Sequence, residues 1–462
     1  MMKIVILSAL LFIYSSQLFS VTVVTGTWNR KDEKISLFEV ENGRLKEIAS
    51  FILSPKKEFS FAFQQTAPGF YVIGTSPQST TNNYVFYLNP NDQLLDINVD
   101  DEVSYSLPEK STLPNKEIER WHNLILPLKA RAVYFMKFNS DYKDFFPLLE
   151  QKLKEIEAYT PSNTSDKEFD KVFEKYRRYD LMCDVLNFLN TPRSEHPTVK
   201  DFPAYLNAIN LSEVTADPDI LDFPYSIRLI DFVRRLSVKK LTEKASKEET
   251  VQIRDTYESL RRDLPQIMNS TVKGEVILET ARNIKTFEEL TQLNNEFGKF
   301  LVTESQKERM HHMLVDKADV ANGQEAFDFK FKNADDKEIA LSDFRGKVVY
   351  IDVWATWCGP CLKEIPHLKK LEADYKDKNI VFLGVSIDSQ KDYTKWKEFL
   401  KQERLVGIQL FAGDKAKDIS KPYKITGIPR FILVGKDGKI ISADAPRPSS
   451  TEVRKMLDAA LR

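Results

Sequence analysis

Cysteine is scarce in this chain of 462 residues, which contains only 3. So few cysteines exclude a scaffold held by several disulfides and a zinc module with many cysteine ligands. An excess of either charge is also missing, because 67 Lys and Arg residues balance 68 Asp and Glu residues. Nucleic-acid binders need a basic excess to neutralise phosphates, so the composition argues against that class of protein.

The start of the chain lacks a hydrophobic run long enough to cross a membrane. The apolar stretch Ile4–Tyr14 is interrupted only by Ser8, whereas a membrane span takes about 20 apolar residues. Lys3 precedes this stretch, and Ser15, Ser16, Gln17 and Ser20 follow it. These features predict a secretory signal peptide over residues 1–20, cleaved after Ser20, with an uncleaved anchor as the alternative.

What the chain does contain is material for folded cores. Hydrophobic residues make up 42% of it, including 30 Phe and 17 Tyr. At roughly 100–200 residues per domain, this predicts a multidomain protein. After the signal, the sequence predicts three regions: an all-β sandwich-like domain over 21–110, an irregular α-helical region over 111–319 and an α/β domain over 320–462.

The spacing of apolar residues distinguishes the first two regions. Short alternating runs such as Ile35–Val40 and Tyr84–Leu88, separated by turn residues such as Asn42-Gly43, indicate strands. Further along, apolar residues recur at helical spacing, and proline-containing breaks divide the region into several helices. Ser/Thr-x-x-Glu signals predict helix starts at Ser165, Thr286 and Ser305.

The third region alternates strands with helices. The predicted strands are Lys347–Val353, Ile380–Ile387, Phe431–Val434 and Ile440–Ala443, and the predicted helices are Pro360–Lys376, Tyr393–Gln402 and Thr451–Leu461. This order predicts a layered domain whose sheet contains both parallel and antiparallel strands.

Two of the three cysteines lie in the motif Trp357-Cys358-Gly359-Pro360-Cys361, where a buried strand ends and a helix begins. At the helix N-terminus, Cys358 would face free backbone N–H groups and the positive end of the helix dipole, which favours the thiolate of a nucleophile. Cys361 lies one turn later, where it can resolve a mixed disulfide. Pro360 suits the first turn because its missing N–H needs no partner there.

Two other interpretations of the cysteine pair are weaker. A structural disulfide across two residues would restrain the unfolded chain very little. Half of a zinc site would need a second pair of ligands, for which His311-His312 and His367 are the nearby candidates, and adjacent histidines on a helix point in different directions. The strand, motif and helix context therefore favours redox chemistry without a metal.

These residues resemble the thioredoxin superfamily, and within it the exported TlpA/ResA-like thiol-disulfide oxidoreductases. The resemblance covers about the last 140 residues. It is carried by Phe344-Arg345-Gly346-Lys347, the stretch from Asp352 to Cys361, Glu364-Ile365-Pro366 and Gly427-Ile428-Pro429. It implies a thioredoxin fold for the α/β domain over 320–462.

The resemblance implies roles for individual positions. Cys358 matches the attacking cysteine and Cys361 the resolving one. Pro429 matches a proline that follows a cis peptide bond and faces the motif. The residues implied to contact substrate are Trp357, Gly359, Pro360, Ile428 and Pro429.

Two acids match family positions as well. Asp352 falls on the buried acid of thioredoxin proper, and Glu364 on an acidic residue of the exported group. A carboxylate is suited to take the proton from Cys361 before that residue attacks, because burial raises its pKa towards neutrality. Glu364 lies on the same helix face as Cys361, with a solvated helix charge as the alternative. Gly384 stands where thioredoxin proper has a lysine near the buried acid.

Two residues outside these sets also carry expectations. Arg430 is bulkier and more basic than the threonine that is common after the cis-proline, so we expect it to shape partner choice. Cys183 lies on the apolar stripe of a predicted helix, so we expect a small buried thiol.

The sequence therefore predicts an exported thiol-disulfide oxidoreductase of the bacterial periplasm that reduces disulfides in other exported proteins. Gly359-Pro360 adds no donor to stabilise a thiolate, so we expect a reductant nearer to thioredoxin, at about −270 mV, than to DsbA, at about −120 mV. We expect no cofactor besides the redox-active disulfide, and the resemblance implies a membrane thiol-electron donor. The alternatives are a thiol peroxidase and a partner- or glycan-binding protein with a redox-sensitive thioredoxin-like domain.

Overall fold

A computed structural model describes residues 21–462 except 66, 79–82, 91, 93, 101–103, 134–137, 244 and 406. The predicted signal peptide over residues 1–20 lies outside the described residues. The chain forms two compact units that divide between Val272 and Lys273. The predicted multidomain layout, with strands first, helices in the middle and an α/β domain last, is confirmed.

The first unit begins with strands in two four-stranded sheets. These are β1 (Val21–Trp28), β2 (Lys34–Glu41), β3 (Arg44–Ile52), β4 (Glu58–Gln64), β5 (Gly69–Gly74), β6 (Asn83–Leu88), β7 (Leu94–Val99) and β8 (Tyr105–Ser106). Their orders are β4-β1-β7-β8 and β3-β2-β5-β6. One buried core, which includes Val24, Leu37, Phe61 and Phe86, is shared by both sheets. The sandwich-like prediction is confirmed.

The turn between β2 and β3 illustrates how local sequence produces this pairing. Asn42 and Gly43 both adopt positive φ angles, 53° and 74°. A two-residue turn with this geometry matches the twist of an antiparallel hairpin. The predicted turn at Asn42-Gly43 is confirmed by the antiparallel register of β2 and β3.

Helices complete the first unit. They are α1 (Leu113–Val133), α2 (Tyr142–Glu157), α3 (Lys167–Asn190), α4 (Ala204–Ala208), α5 (Leu211–Thr215), α6 (Ser226–Thr242), α7 (Lys247–Arg254) and α8 (Thr256–Asp263). Helix α3 is central, because it packs against both α1 and α6. Cys183 lies on α3 and forms no disulfide. Burial raises the pKa of its thiol to about 12, so the expectation of a buried core thiol is confirmed.

The second unit opens with helices. The division between the units falls at the start of α9 (Ser270–Asn283), which is followed by α10 (Phe287–Phe297) and α11 (Glu304–Ala318). Thr286 caps α10 by accepting the Glu289 N–H at 3.2 Å, so that predicted start is confirmed.

Two predicted helix starts are wrong by one or two residues. Asp166, rather than Ser165, caps α3 and accepts the Phe169 N–H at 2.9 Å. Thr303, rather than Ser305, caps α11 in a capping box with Gln306. Asp166 and Thr303 are both favourable N-cap residues, so the neighbouring Ser/Thr-x-x-Glu patterns did not determine where the helices begin.

A seven-stranded sheet forms the α/β domain. In chain order its elements are β9 (Lys330–Asn333), β10 (Glu338–Ala340), β11 (Val348–Trp354), α12 (Gly359–Asp374), β12 (Ile380–Ser386), α13 (Tyr393–Glu403), β13 (Ile408–Phe411), α14 (Lys417–Ser420), β14 (Arg430–Val434), β15 (Ile440–Ser442) and α15 (Glu452–Leu461). The strand order is β10-β9-β13-β12-β11-β14-β15. Strands β11, β12 and β13 run parallel, and β14 is antiparallel to β11. The predicted thioredoxin fold is confirmed.

Both faces of this sheet are covered. The start of α12 lies beside the end of β11 because a short turn connects the two elements. On one face, Tyr350 of β11 packs in a core with Leu371 of α12 and Leu457 of α15. On the other face, Ile351 shares a core with Ile419 and Tyr423. Because alternate residues of β11 point to opposite faces, Asp352 lies on the α12 side with Tyr350.

Candidate active site

Cys358 occupies the N-cap of α12. Its sulfur accepts a hydrogen bond from the backbone N–H of Cys361 at 3.2 Å. Its own N–H donates to the carbonyl of Ala355 at 3.1 Å, which closes the turn that leads from β11 into the helix. The sulfur therefore lies at the positive end of the helix dipole, where a thiolate is stabilised.

The two cysteines of the motif form a disulfide, with their Cα atoms 5.2 Å apart. Cys358 and Cys361 are each only 4% exposed. Trp357, beside them, is 62% exposed, and Gly359 and Pro360 are also exposed. The pair is thus nearly covered but lies directly beneath exposed residues.

The cis-proline loop lies next to this pair. The Ile428–Pro429 peptide bond is cis, which confirms the implied geometry. Ile428 is half-buried and packs against the cluster that contains both cysteines. The structure therefore brings together the motif and the two loop residues predicted to contact substrate.

Asp352 is buried in the middle of the sheet. It lies in register between Gly384 of β12 and Phe431 of β14. Its Oδ1 atom has no hydrogen-bond partner among the described residues. Burial, together with the negative charges of Glu364 and Glu372, raises the pKa of Asp352 to about 8. The carboxyl can therefore hold or release a proton close to neutral pH.

The neighbouring glycine leaves room for a different polar group. A Cβ atom on Gly384 would lie 2.1 Å from the Oε1 atom of Gln409, a nearly buried residue of β13. The side chain of Gln409 thus fills the space beside Gly384. An amide carries no charge, so it lacks the power of a lysine to lower the pKa of Asp352.

Glu364 is buried on α12 rather than solvated. Its carboxylate accepts two hydrogen bonds from Ser449, from the backbone N–H at 3.0 Å and from the hydroxyl at 2.9 Å. The alternative of a solvated helix charge is therefore wrong. These bonds fix the carboxylate, whose charge raises the pKa of Asp352.

Two acidic residues near the site were missed by sequence reasoning. Glu372 lies two turns beyond Glu364 on α12, and burial raises its pKa to about 7. Asp388 is fully buried just after β12. The spacing of Glu372 from Glu364, and an acid directly after a buried strand, are the sequence signals that point to them.

Arg430 does not present its charge to a partner, contrary to our expectation. The residue is buried. Its Nη1 donates to the carbonyl of Ala443 at 3.2 Å, and its Nε lies 3.4 Å from the Asp444 carboxylate. The guanidinium therefore anchors the chain after β15.

Within residues 21–462 and outside the gaps named above, no group of three or more His, Cys, Asp or Glu side chains is placed to hold a metal ion. The helices of these same residues include none that combines the length and the hydrophobicity of a membrane span.

A thioredoxin fold with a disulfide-forming Cys-x-x-Cys pair at a helix N-terminus defines a thiol-disulfide oxidoreductase domain. The model of the Redoxin family matches residues 321–461. Thiol-disulfide oxidoreductase ResA of Bacillus thuringiensis subsp. konkukian is 37% identical over 122 residues, which are 26% of this chain and 66% of the relative. ResA of Bacillus cereus strain ZK / E33L is 34% identical over 131 residues, 28% of this chain and 72% of the relative.

The chain belongs to the family of ResA-type thiol-disulfide oxidoreductases. It spans about two thirds of the length of the first of these relatives. A crystal structure of the thioredoxin domain of a thiol-disulfide oxidoreductase from Bacteroides vulgatus is 29% identical, with a TM-score of 0.28, and the match covers 31% of this chain and 99% of that domain.

Proposed function

We propose that this protein is exported to the bacterial periplasm and reduces disulfides in other exported proteins. The observation that carries the proposed disulfide exchange is the position of Cys358, whose sulfur caps α12 and is joined to Cys361. A cysteine in this position forms a nucleophilic thiolate, and its partner lies within reach to complete the exchange.

The reaction begins with the reduced pair. The Cys358 thiolate attacks one sulfur of the substrate disulfide, which breaks that bond and forms a mixed disulfide. The other substrate sulfur leaves as a thiolate and takes up a proton. Trp357, Gly359 and Pro360, exposed around the sulfur, and Ile428 and Pro429, in the facing loop, contact the substrate chain in this proposal.

Resolution regenerates the disulfide. Cys361 gives up its proton, with Asp352 as the acceptor and Glu364 assisting, and its thiolate attacks the Cys358 sulfur. The second substrate sulfur leaves and is protonated. Two electrons and two protons have then passed to the substrate, and Cys358 and Cys361 are joined. A membrane thiol-electron donor would return the pair to the dithiol.

Reduction of insulin by the full chain tests this function. With dithiothreitol as the electron source, wild-type protein is expected to precipitate the insulin B chain faster than dithiothreitol alone, and Cys358→Ser is expected to give no acceleration. No acceleration by wild type would contradict the enzyme and favour a binding protein. Export is tested separately, by expressing the full sequence in a bacterial host and measuring the mass of the protein recovered from its periplasm. That mass should correspond to a chain that begins at Val21.

A further inference from the structure

A fully buried carboxylate lies beside the loop that carries Cys358. Asp388 is 0% exposed and follows Ser386, the last residue of β12. Burying a carboxylate is costly unless its oxygens receive hydrogen bonds. The donors of the hydrogen bonds to Asp388 therefore indicate the role of this residue.

Most of these bonds come from one residue of the active-site loop. The Thr356 N–H donates to both carboxylate oxygens of Asp388, at 3.2 and 3.0 Å. The Thr356 hydroxyl donates to Oδ1 at 2.8 Å, and the Ser386 hydroxyl donates to Oδ2 at 2.7 Å. Charge-assisted bonds of this kind are stronger than neutral ones and fix orientation.

Thr356 lies two residues before Cys358, inside the turn between β11 and α12. That turn is held at one side by the bond from the Cys358 N–H to the Ala355 carbonyl. At its start, the Ile387 N–H donates to the carbonyl of Trp354 at 2.9 Å. Asp388 holds Thr356 within this turn through three hydrogen bonds.

We propose that Asp388 is a positioning residue which, through Thr356, holds Cys358 at the N-cap of α12. The proposal rests on the proposed redox function of Cys358 and adds a residue that touches neither sulfur nor substrate. If the hydrogen bonds to Thr356 are lost, the turn becomes more mobile. The Cys358 sulfur is then no longer held at hydrogen-bond distance from the Cys361 N–H. The Cys358 thiolate is then less stabilised, and the reduced form of the pair becomes less favoured.

A matched pair of variants separates the effect of the Thr356–Asp388 hydrogen bond from an effect on overall folding. Thr356→Val keeps the shape of the side chain and removes its hydroxyl, whereas Thr356→Ser keeps the hydroxyl. Asp388→Ala removes the acceptor altogether. For each reduced protein, the rate at which iodoacetamide labels Cys358 is measured against pH by peptide mass, and the Cys358–Cys361 pair is equilibrated with glutathione. Circular dichroism checks that each variant is folded.

Thr356→Val is expected to slow labelling at pH 7 about threefold, because a less stabilised Cys358 thiolate is present as a smaller fraction of the protein. The equilibrium with glutathione should move towards the disulfide by a similar factor. Thr356→Ser should match wild type, and Asp388→Ala should exceed the effect of Thr356→Val if it folds.

The proposal would be overturned if Thr356→Val had the same labelling rate and the same glutathione equilibrium as wild type. This holds even if the variant melts at a lower temperature. Asp388 would then stabilise the fold alone. If Asp388→Ala does not fold, the Thr356 pair decides the matter. Neither readout involves a protein substrate, so failure of wild type to reduce insulin would contradict the proposed function and leave this comparison intact.

Discussion

Asp352 of β11 and Glu364 of α12 have different surroundings, although they lie close enough for the charge of one to affect the other. Glu364 accepts two hydrogen bonds from Ser449, whereas Asp352 has an oxygen without a partner among the described residues. A buried carboxyl group takes up a proton more readily when its oxygens accept few hydrogen bonds. Asp352 is therefore the better candidate for exchanging a proton with Cys361 near neutral pH.

Removal of this acid should change a pH profile. Reaction of reduced protein with 5,5′-dithiobis(2-nitrobenzoate) releases one thiol when Cys358 attacks and a second when Cys361 resolves the mixed disulfide. The ionised form of Asp352 accepts the proton, and its pKa is about 8, so the second phase in wild type should accelerate as pH rises through that value. In Asp352→Asn it should be about a hundredfold slower and lose this rise.

An acid on the surface supplies the control. Asp377 is exposed, so Asp377→Asn should keep the wild-type profile. A rise through the same pH in Asp352→Asn would contradict the role of Asp352 and point to titration of the cysteine itself.

Glu364 should tune the same profile through its charge. Because that charge raises the pKa of Asp352, Glu364→Gln should move the midpoint of the second phase to lower pH by about one pH unit. Ser449→Ala keeps the charge and removes one bond, so its midpoint should stay near that of wild type. Equal midpoints in Glu364→Gln and wild type would show that the two acids act independently.

Among individual residues, sequence analysis identified those that share a short motif. It missed those that are distant in the chain and come into contact only in the folded protein. Cys358 and Cys361 follow from their motif, and Glu364 follows from the family resemblance together with its spacing from Cys361. Asp388 reaches the loop from another strand, and the anchoring role of Arg430 depends on Asp444. Chain spacing does not show which distant residue will supply a hydrogen bond.

Among the elements, helices α9 and α11 are joined by a buried ion pair. Glu275 is fully buried and accepts from Arg309, with Arg309 Nη1 at 2.9 Å from Glu275 Oε2 and a second contact from Nη2. Gln306 adds a hydrogen bond at 3.1 Å. Removal of one partner from such a pair leaves the other charge without compensation.

Glu275→Ala is therefore expected to lower the free energy of unfolding by about 3 kcal/mol, measured by urea denaturation. Glu304, on the same helix as Arg309, is exposed and pairs with Lys307. Glu304→Ala should change the free energy by less than about 0.5 kcal/mol. Equal effects of the two substitutions would mean that the buried pair contributes no more than a surface one.

The elements of the α/β domain that have a strong apolar pattern were predicted within about two residues, whereas short polar strands were not. Buried β11 and β12 are nearly continuous apolar runs, which indicates strands. The sequence Lys-Phe-Lys-Asn of β9 carries little such signal. Its pairing with β13 and β10 is set by the sheet rather than by local preference.

At the scale of the whole molecule, sequence periodicity showed that the middle region is helical but not how its helices divide. Helices α1 to α8 belong to the unit with the sandwich, and α10 and α11 belong to the unit with the thioredoxin fold. An amphipathic helix reveals which face is buried and not what covers it. The separation also means that the redox chemistry resides in the second unit.

We expect the whole protein to act as a reductant. The reduction potential of Cys358–Cys361 in the full chain, measured by equilibration with glutathione, tests it most directly. We expect a potential near that of thioredoxin, about −270 mV, because the residues between the cysteines add no group that stabilises the thiolate. A potential above that of the glutathione couple, towards the about −120 mV of DsbA, would contradict it.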